Sequence, residues 1–86
     1  MDVIKVSSRS VPKSVAGAIC AVIRGGSGAT VEAVGAGAVN QAVKAVAVAR
    51  TFLTEEGIEL VCMPEFGEFE VAGETKTGMK FTVEKR

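Results

Sequence analysis

The chain has no His, Trp or Tyr, only two Cys among 86 residues, and a formal net charge of zero. Each shortage excludes something. Without His there is no general base that titrates near neutral pH, and the commonest metal ligand is missing. Two Cys cannot build a Cys-rich zinc site or a disulfide framework. A balance of ten Lys plus Arg against ten Asp plus Glu argues against a polycation that coats DNA by bulk charge. The longest apolar stretch, Val15 to Ile23, is nine residues with a Gly inside it, far short of the roughly 20 a membrane helix requires. Asp2 and Lys5 do not suit a secretory signal. What is there is a globular composition, 48% apolar and 23% charged, of a size that allows one core. The expectation is a single domain over residues 1–86, cytoplasmic and not an enzyme, with no cofactor, metal or membrane.

Secondary structure follows from periodicity. Residues 2–7 read as a strand, and Pro12 suits the first turn of a helix, where its missing N–H costs nothing. Val15, Ile19, Val22 and Ile23 form one helical stripe, which Gly25 or Gly26 ends with a left-handed cap. Residues 29–35 read as a second strand, and Gly35-Ala36-Gly37 turns into a helix from about Ala38 to Phe52 or Leu53. A third strand begins near Ile58, with Phe69 and Val71 extended past Pro64 and Gly67. In the last strand Met79, Phe81 and Val83 alternate with Lys80, Thr82 and Glu84, so that one face is solvated. The order β-α-β-α-β-β with right-handed crossovers predicts an α/β two-layer sandwich, a mixed four-stranded sheet with both helices on one face.

The second helix is apolar nearly all round, for only Lys44 is polar from Ala42 to Ala49. Val39, Val43 and Val46 can face the sheet, while Ala45, Val48 and Phe52 lie on another side. A helix apolar on two sides is expected to be buried on two sides. Ala45, Val48 and Phe52 are therefore expected to form the interface of a homodimer or higher homo-oligomer; the plainer alternative is that small side chains tolerate exposure there.

The zero net charge hides an asymmetry. Residues 1–50 hold six cations against two carboxylates, a net +4, and residues 51–86 hold four against eight, a net −4. Arg9 and Lys13 flank the first strand-to-helix turn, which in a parallel βαβ unit lies at the carboxyl edge of the sheet beside the Gly35–Gly37 turn. Helix N-termini there offer free N–H groups and partial positive charge to anions. Ser8, Arg9, Lys13, Asn40 and Lys44 thus make a candidate phosphate site; the bland alternative is a helix cap at Ser10 and ordinary solvated cations. Other patterns carry less. Gly35-x-Gly37-x-x-Asn40 lacks the third Gly of a dinucleotide fingerprint and reads as a tight turn. Cys20 and Cys62 read as small core residues, and the glutamates as scattered solvated faces. Nothing orients a Ser10/Lys13 nucleophile pair.

KVSSRSVPKSVAGAI at 5–19, VGAGAVNQAVKAVAVAR at 34–50 and VCMPEF at 61–66 resemble the stage V sporulation protein S family of bacteria, nearly end to end. The resemblance implies a small cytoplasmic regulatory protein of sporulation, similar in fold to the Alba chromatin and RNA-binding proteins and commonly dimeric. It implies binding of RNA or DNA at the first βα turn (Ser8, Arg9, Lys13), the start of the second helix (Asn40, Gln41, Lys44) and the final hairpin. Where Alba proteins are rich in Lys and Arg, this chain has Gly37 and Gln41, and its hairpin carries Glu68, Glu70 and Glu74 around only Lys76 and Lys80. That pattern points away from general coating of duplex DNA. A protein-interaction module using the acidic hairpin or the second helix is the alternative function.

Overall fold

The computed structural model describes residues 1–86. Strand β1 is Asp2–Val6, helix α1 Pro12–Arg24, strand β2 Ala29–Ala33, helix α2 Ala36–Glu55, strand β3 Leu60–Val71 and strand β4 Glu74–Lys85. The element order is the expected one. The four strands form one mixed sheet in the order β1-β2-β4-β3, with β1 parallel to β2 and β4 antiparallel to both its neighbours. The two helices pack on each other and on one face of that sheet, which makes the two-layer sandwich.

Pro12 opens α1 as the periodicity requires, but the residue before it, Val11, is the cap, and no side chain caps the helix. Ser10 is used elsewhere: its Oγ accepts from the Ser7 N–H at 2.9 Å. At the far end of α1, Gly25 stays right-handed with φ −76° and Gly26 takes the left-handed position with φ 89°. The second βα turn is made by Gly35 alone, at φ 91°, so α2 starts at Ala36, two residues earlier than its pattern suggested, and Gly37 lies inside it.

The buried face of α2 differs from the expected one. Ala38, Ala42, Ala45, Ala49 and Leu53 are buried, while Val39, Val46 and Val48 are half-buried and Val43 is 51% exposed. Ala45, assigned by pattern to an oligomer interface, is in the chain's own core; Val48 is half-buried and Phe52 44% exposed. Alanine wins the inner stripe because a helix that must touch both a neighbouring helix and a sheet gains more from close approach than from bulk. Ile19, Cys20 and Ile23 of α1 fill the space beside it, and Val6, Val31, Phe81 and Val83 rise from the sheet.

Across the sheet, the outward-facing side chains stand in register. Lys5 pairs with Glu32, Glu32 with Lys80, and Lys80 with Glu65, a row of alternating sign over all four strands. Opposite charges across neighbouring strands stabilise a solvated face.

Strand β3 starts two residues later than Ile58 and runs unbroken past Pro64 and Gly67 to Val71, as the extended pattern indicated, and β4 begins five residues before Met79. Because β3 is the sheet's edge, Pro64 can turn its nitrogen away from β4 without loss to the ladder. Strand β2 pairs with β4 only from Met79 to Val83, so Gly67–Val71 and Glu74–Gly78 project beyond the sheet as a two-stranded arm. Ala72 and Gly73 close it with φ 53° and 80°, the double left-handed turn that matches hairpin twist. The Phe69 ring lies over the Gly67–Gly78 pair, and Gly78 lets β4 run close to the end of β2. A Cβ on Gly78 would stand 2.6 Å from the Ala33 carbonyl oxygen. Gly78→Ala is therefore expected to destabilise the protein by about 1–3 kcal/mol, the range for forced overpacking. Chemical denaturation checks this, and parent-like stability would show that the arm yields freely.

Candidate nucleic-acid interface

Helices α1 and α2 run parallel, and three contacts fix their register. Gln41 Nε2 donates to the Ser10 carbonyl at 2.9 Å, the Cys20 thiol points at the Ala49 carbonyl at 3.8 Å, and Arg24 Nε donates to Glu56 Oε1 at 2.9 Å. Both helices point their N-termini toward one edge of the molecule, but α2 starts about two turns nearer to it: Pro12 of α1 is level with Val43 of α2, and Lys13 with Lys44. Neither helix has an acidic residue in its first turn, and no side chain caps α2. The first N–H groups of α2 are left without helical partners, and both macrodipoles point their positive ends at this edge.

The β1–α1 connection is a tight turn held by its own serines. Ser7 N–H donates to Ser10 Oγ, Arg9 N–H to Ser7 Oγ at 3.2 Å, and Ser10 N–H to the Ser7 carbonyl at 3.1 Å. Ser8 packs against the second turn so closely that a Cβ on Gly37 would meet its own Cβ at 2.9 Å. Gly37 is thus required by close approach and not by backbone conformation.

Of the ten Lys and Arg residues, two are held in ion pairs: Arg24 with Glu56 and Arg86 with Glu59. Arg9, Lys13 and Lys44 are exposed and unpaired, as is the neutral Asn40. Gln41 is half-buried and already engaged with Ser10. Ser8 turns to a different surface. It lines a cleft of about 790 Å³ between the two βα turns and the β3–β4 arm, together with Lys5, Glu32, Val34, Glu68, Phe69 and Glu70. Three carboxylates against one lysine make that cleft acidic. Of the phosphate-binding edge expected from the sequence, Ser8 lines this acidic cleft, whereas Arg9, Lys13, Asn40 and Lys44 lie outside it. The pattern of residues 67–78 gave no sign of the cleft, because it forms only where the arm meets the two βα turns.

Cys20 is buried as expected, whereas Cys62, read from the sequence as a core residue, is exposed on β3; partial desolvation of its thiol raises its pKa. No group of three His, Cys, Asp or Glu side chains is disposed to hold a metal ion. No helix is long and apolar enough to cross a membrane.

Residues 2–86 match the stage V sporulation protein S family. The chain belongs to that family. Membership makes this a sporulation-related protein, of a regulatory family that is not known for enzymes.

The Arg24–Glu56 pair closes the end of the helix layer away from the candidate interface. Its hydrogen bonds hold the Glu56 carboxyl below the ordinary carboxylate range. A depressed folded-state value contributes stability that is present above the unfolded-state value and is lost as pH falls through the folded one. Glu56→Gln is thus expected to be less stable than the parent at neutral pH, with the difference shrinking as the medium is acidified below the usual carboxylate range. Thermal melts of both proteins across that range check it; a constant difference would mean that the pair contributes nothing through ionisation.

Proposed function

We propose that the protein is a non-catalytic regulator that binds RNA or DNA in the cytoplasm through phosphate contacts, using Arg9, Lys13, Asn40 and Lys44 at the start of the two helices. The observation that carries this reading is the set of three unpaired cations, Arg9 and Lys13 at the start of α1 and Lys44 level with them on the parallel α2, with no side-chain cap and no carboxylate in the first turn of either helix. Phosphate contacts need this combination of mobile cations and fixed N–H donors, and neither shape nor aromatic stacking is called on. The sheet's open face is a poor rival site, because Lys5, Glu32, Lys80 and Glu65 alternate in sign across it.

Three cations per chain bind weakly by themselves. Each phosphate neutralised on a single strand contributes about 0.7 to the logarithmic salt slope, so one protomer reaches a slope near −2. A homodimer or higher homo-oligomer doubles or multiplies the site and gains by avidity. Exposed apolar side chains support such assembly: Phe52 and half-buried Val48 on α2, with Met63 and the 80% exposed Phe66 on β3. A protein partner on the acidic arm is the outcome to which a failure of nucleic-acid binding would point.

Arg9→Ala and Lys13→Ala are each expected to lower the magnitude of the salt slope by about 0.7 on single-stranded RNA while leaving the fold intact. Fluorescence anisotropy titrations at several salt concentrations, with far-UV circular dichroism as the folding control, measure both. Parent-like binding by both variants would remove the site from this edge.

A further inference from the structure

We infer that Gln41 is a positioning residue that fixes the Arg9 turn against α2, so that Arg9 and Lys44 reach one nucleic-acid backbone together. The inference rests on the nucleic-acid reading above and adds a residue role to it. Its starting point is the Ser10 carbonyl. This group precedes the α1 cap, and the first helical N–H groups go to the next carbonyl, since Ser14 and Val15 both donate to Val11. Ser10 therefore offers an acceptor that the helix does not use. Gln41 Nε2 fills it at 2.9 Å from 31 residues away, in a half-buried position.

That bond has no substitute. Every other hydrogen bond of the Ser7–Ser10 turn is internal to it, made among Ser7, Arg9 and Ser10. The turn is thus a small closed unit, stiff within itself, and Gln41 supplies the one side-chain hydrogen bond that ties it to α2. Arg9 rides on the turn, while Asn40 and Lys44 ride on the helix turn that carries Gln41. A long cation on a loose support loses more freedom on binding than one whose base is fixed. The amide is moreover spent: its nitrogen is committed to Ser10 and its residue is half-buried. A role in spacing the cations accounts for it better than direct contact with phosphate.

Gln41→Leu removes the donor and keeps a side chain of similar bulk. Binding of parent, Gln41→Leu, Arg9→Ala and the double variant to single-stranded RNA is measured by anisotropy at several salt concentrations. Expected for Gln41→Leu is a roughly three- to tenfold loss of affinity, the scale of one hydrogen bond, with the slope smaller by about 0.7 although no charge has been removed. The double variant is expected to bind within twofold of Arg9→Ala alone. In the free protein, hydrogen exchange is expected to accelerate at residues 7–10 while the rest of the chain keeps its protection.

Three results would overturn the assignment and leave nucleic-acid binding standing: a Gln41→Leu slope equal to the parent's, losses that multiply in the double variant as for an independent contact, or unchanged exchange at residues 7–10. A lower melting temperature with parent-like affinity would likewise make Gln41 structural only. A parent that shows no salt-dependent binding would remove the nucleic-acid reading itself, and this role with it.

Discussion

The close approach that alanine permits on one side of α2 is the constraint from which most of the structure follows. Ala38, Ala42, Ala45 and Ala49 present a shallow surface to α1 and to the sheet, and only Leu53 brings bulk to that stripe. Alanine also has no side-chain entropy to lose on burial, so a helix lined with it is ordered at little cost. Because α2 sits low against α1, Cys20 comes within reach of the Ala49 carbonyl and Gln41 within reach of Ser10. A larger side chain at Ala45 would lift the helix and separate both pairs at once. The register of the two helices, which brings Lys13 level with Lys44, depends on those missing methyl groups.

Much of this was legible before any coordinates. The element order, the parallel crossovers and the inward face of β4 followed from spacing, since Phe81 and Val83 alternate with polar neighbours and have a solvated side to define them. The face of α2 did not. On a helix where nearly every residue is apolar, hydrophobicity no longer distinguishes inside from outside, and a preference for bulk selects Val43 over Ala45 when packing selects the reverse. Strand β3 was legible to Val71 despite Pro64 and Gly67, but why Pro64 does no harm there was not: that follows from β3 being an edge, which is a property of the whole sheet. At the candidate interface the cations could be read from sequence and their surroundings could not. Serine spacing gave no means of telling that Ser10 would serve the turn instead of the helix, or that Glu68 and Glu70 would swing beside Ser8.

The two layers divide the electrostatic work. The sheet's outer face neutralises itself strand by strand, which keeps it solvated without attracting a polyion. The helix layer places its compensating pairs at the far end, where Arg24 meets Glu56, and leaves Arg9, Lys13 and Lys44 free at the near end. A neutral chain thereby acquires a directional field, with the peptide dipoles of both helices adding to the side-chain charges at one pole. The acidic cleft stands next to that pole. A polyanion approaching the helices meets attraction on one flank and repulsion on the other, which fixes the side from which it can dock.

Pro64 has a consequence beyond the fold. The outer margin of β3 is twelve residues long, and such a margin would ordinarily recruit strands from neighbouring molecules without limit. With its ring nitrogen turned outward, Pro64 leaves a gap in the row of donors near the middle of that margin, and Glu68 and Glu70 charge its distal half. Strand-by-strand growth would have to cross a missing bond and then a stretch of like charge. The chain can therefore be packed at high concentration without its longest open margin seeding a fibre.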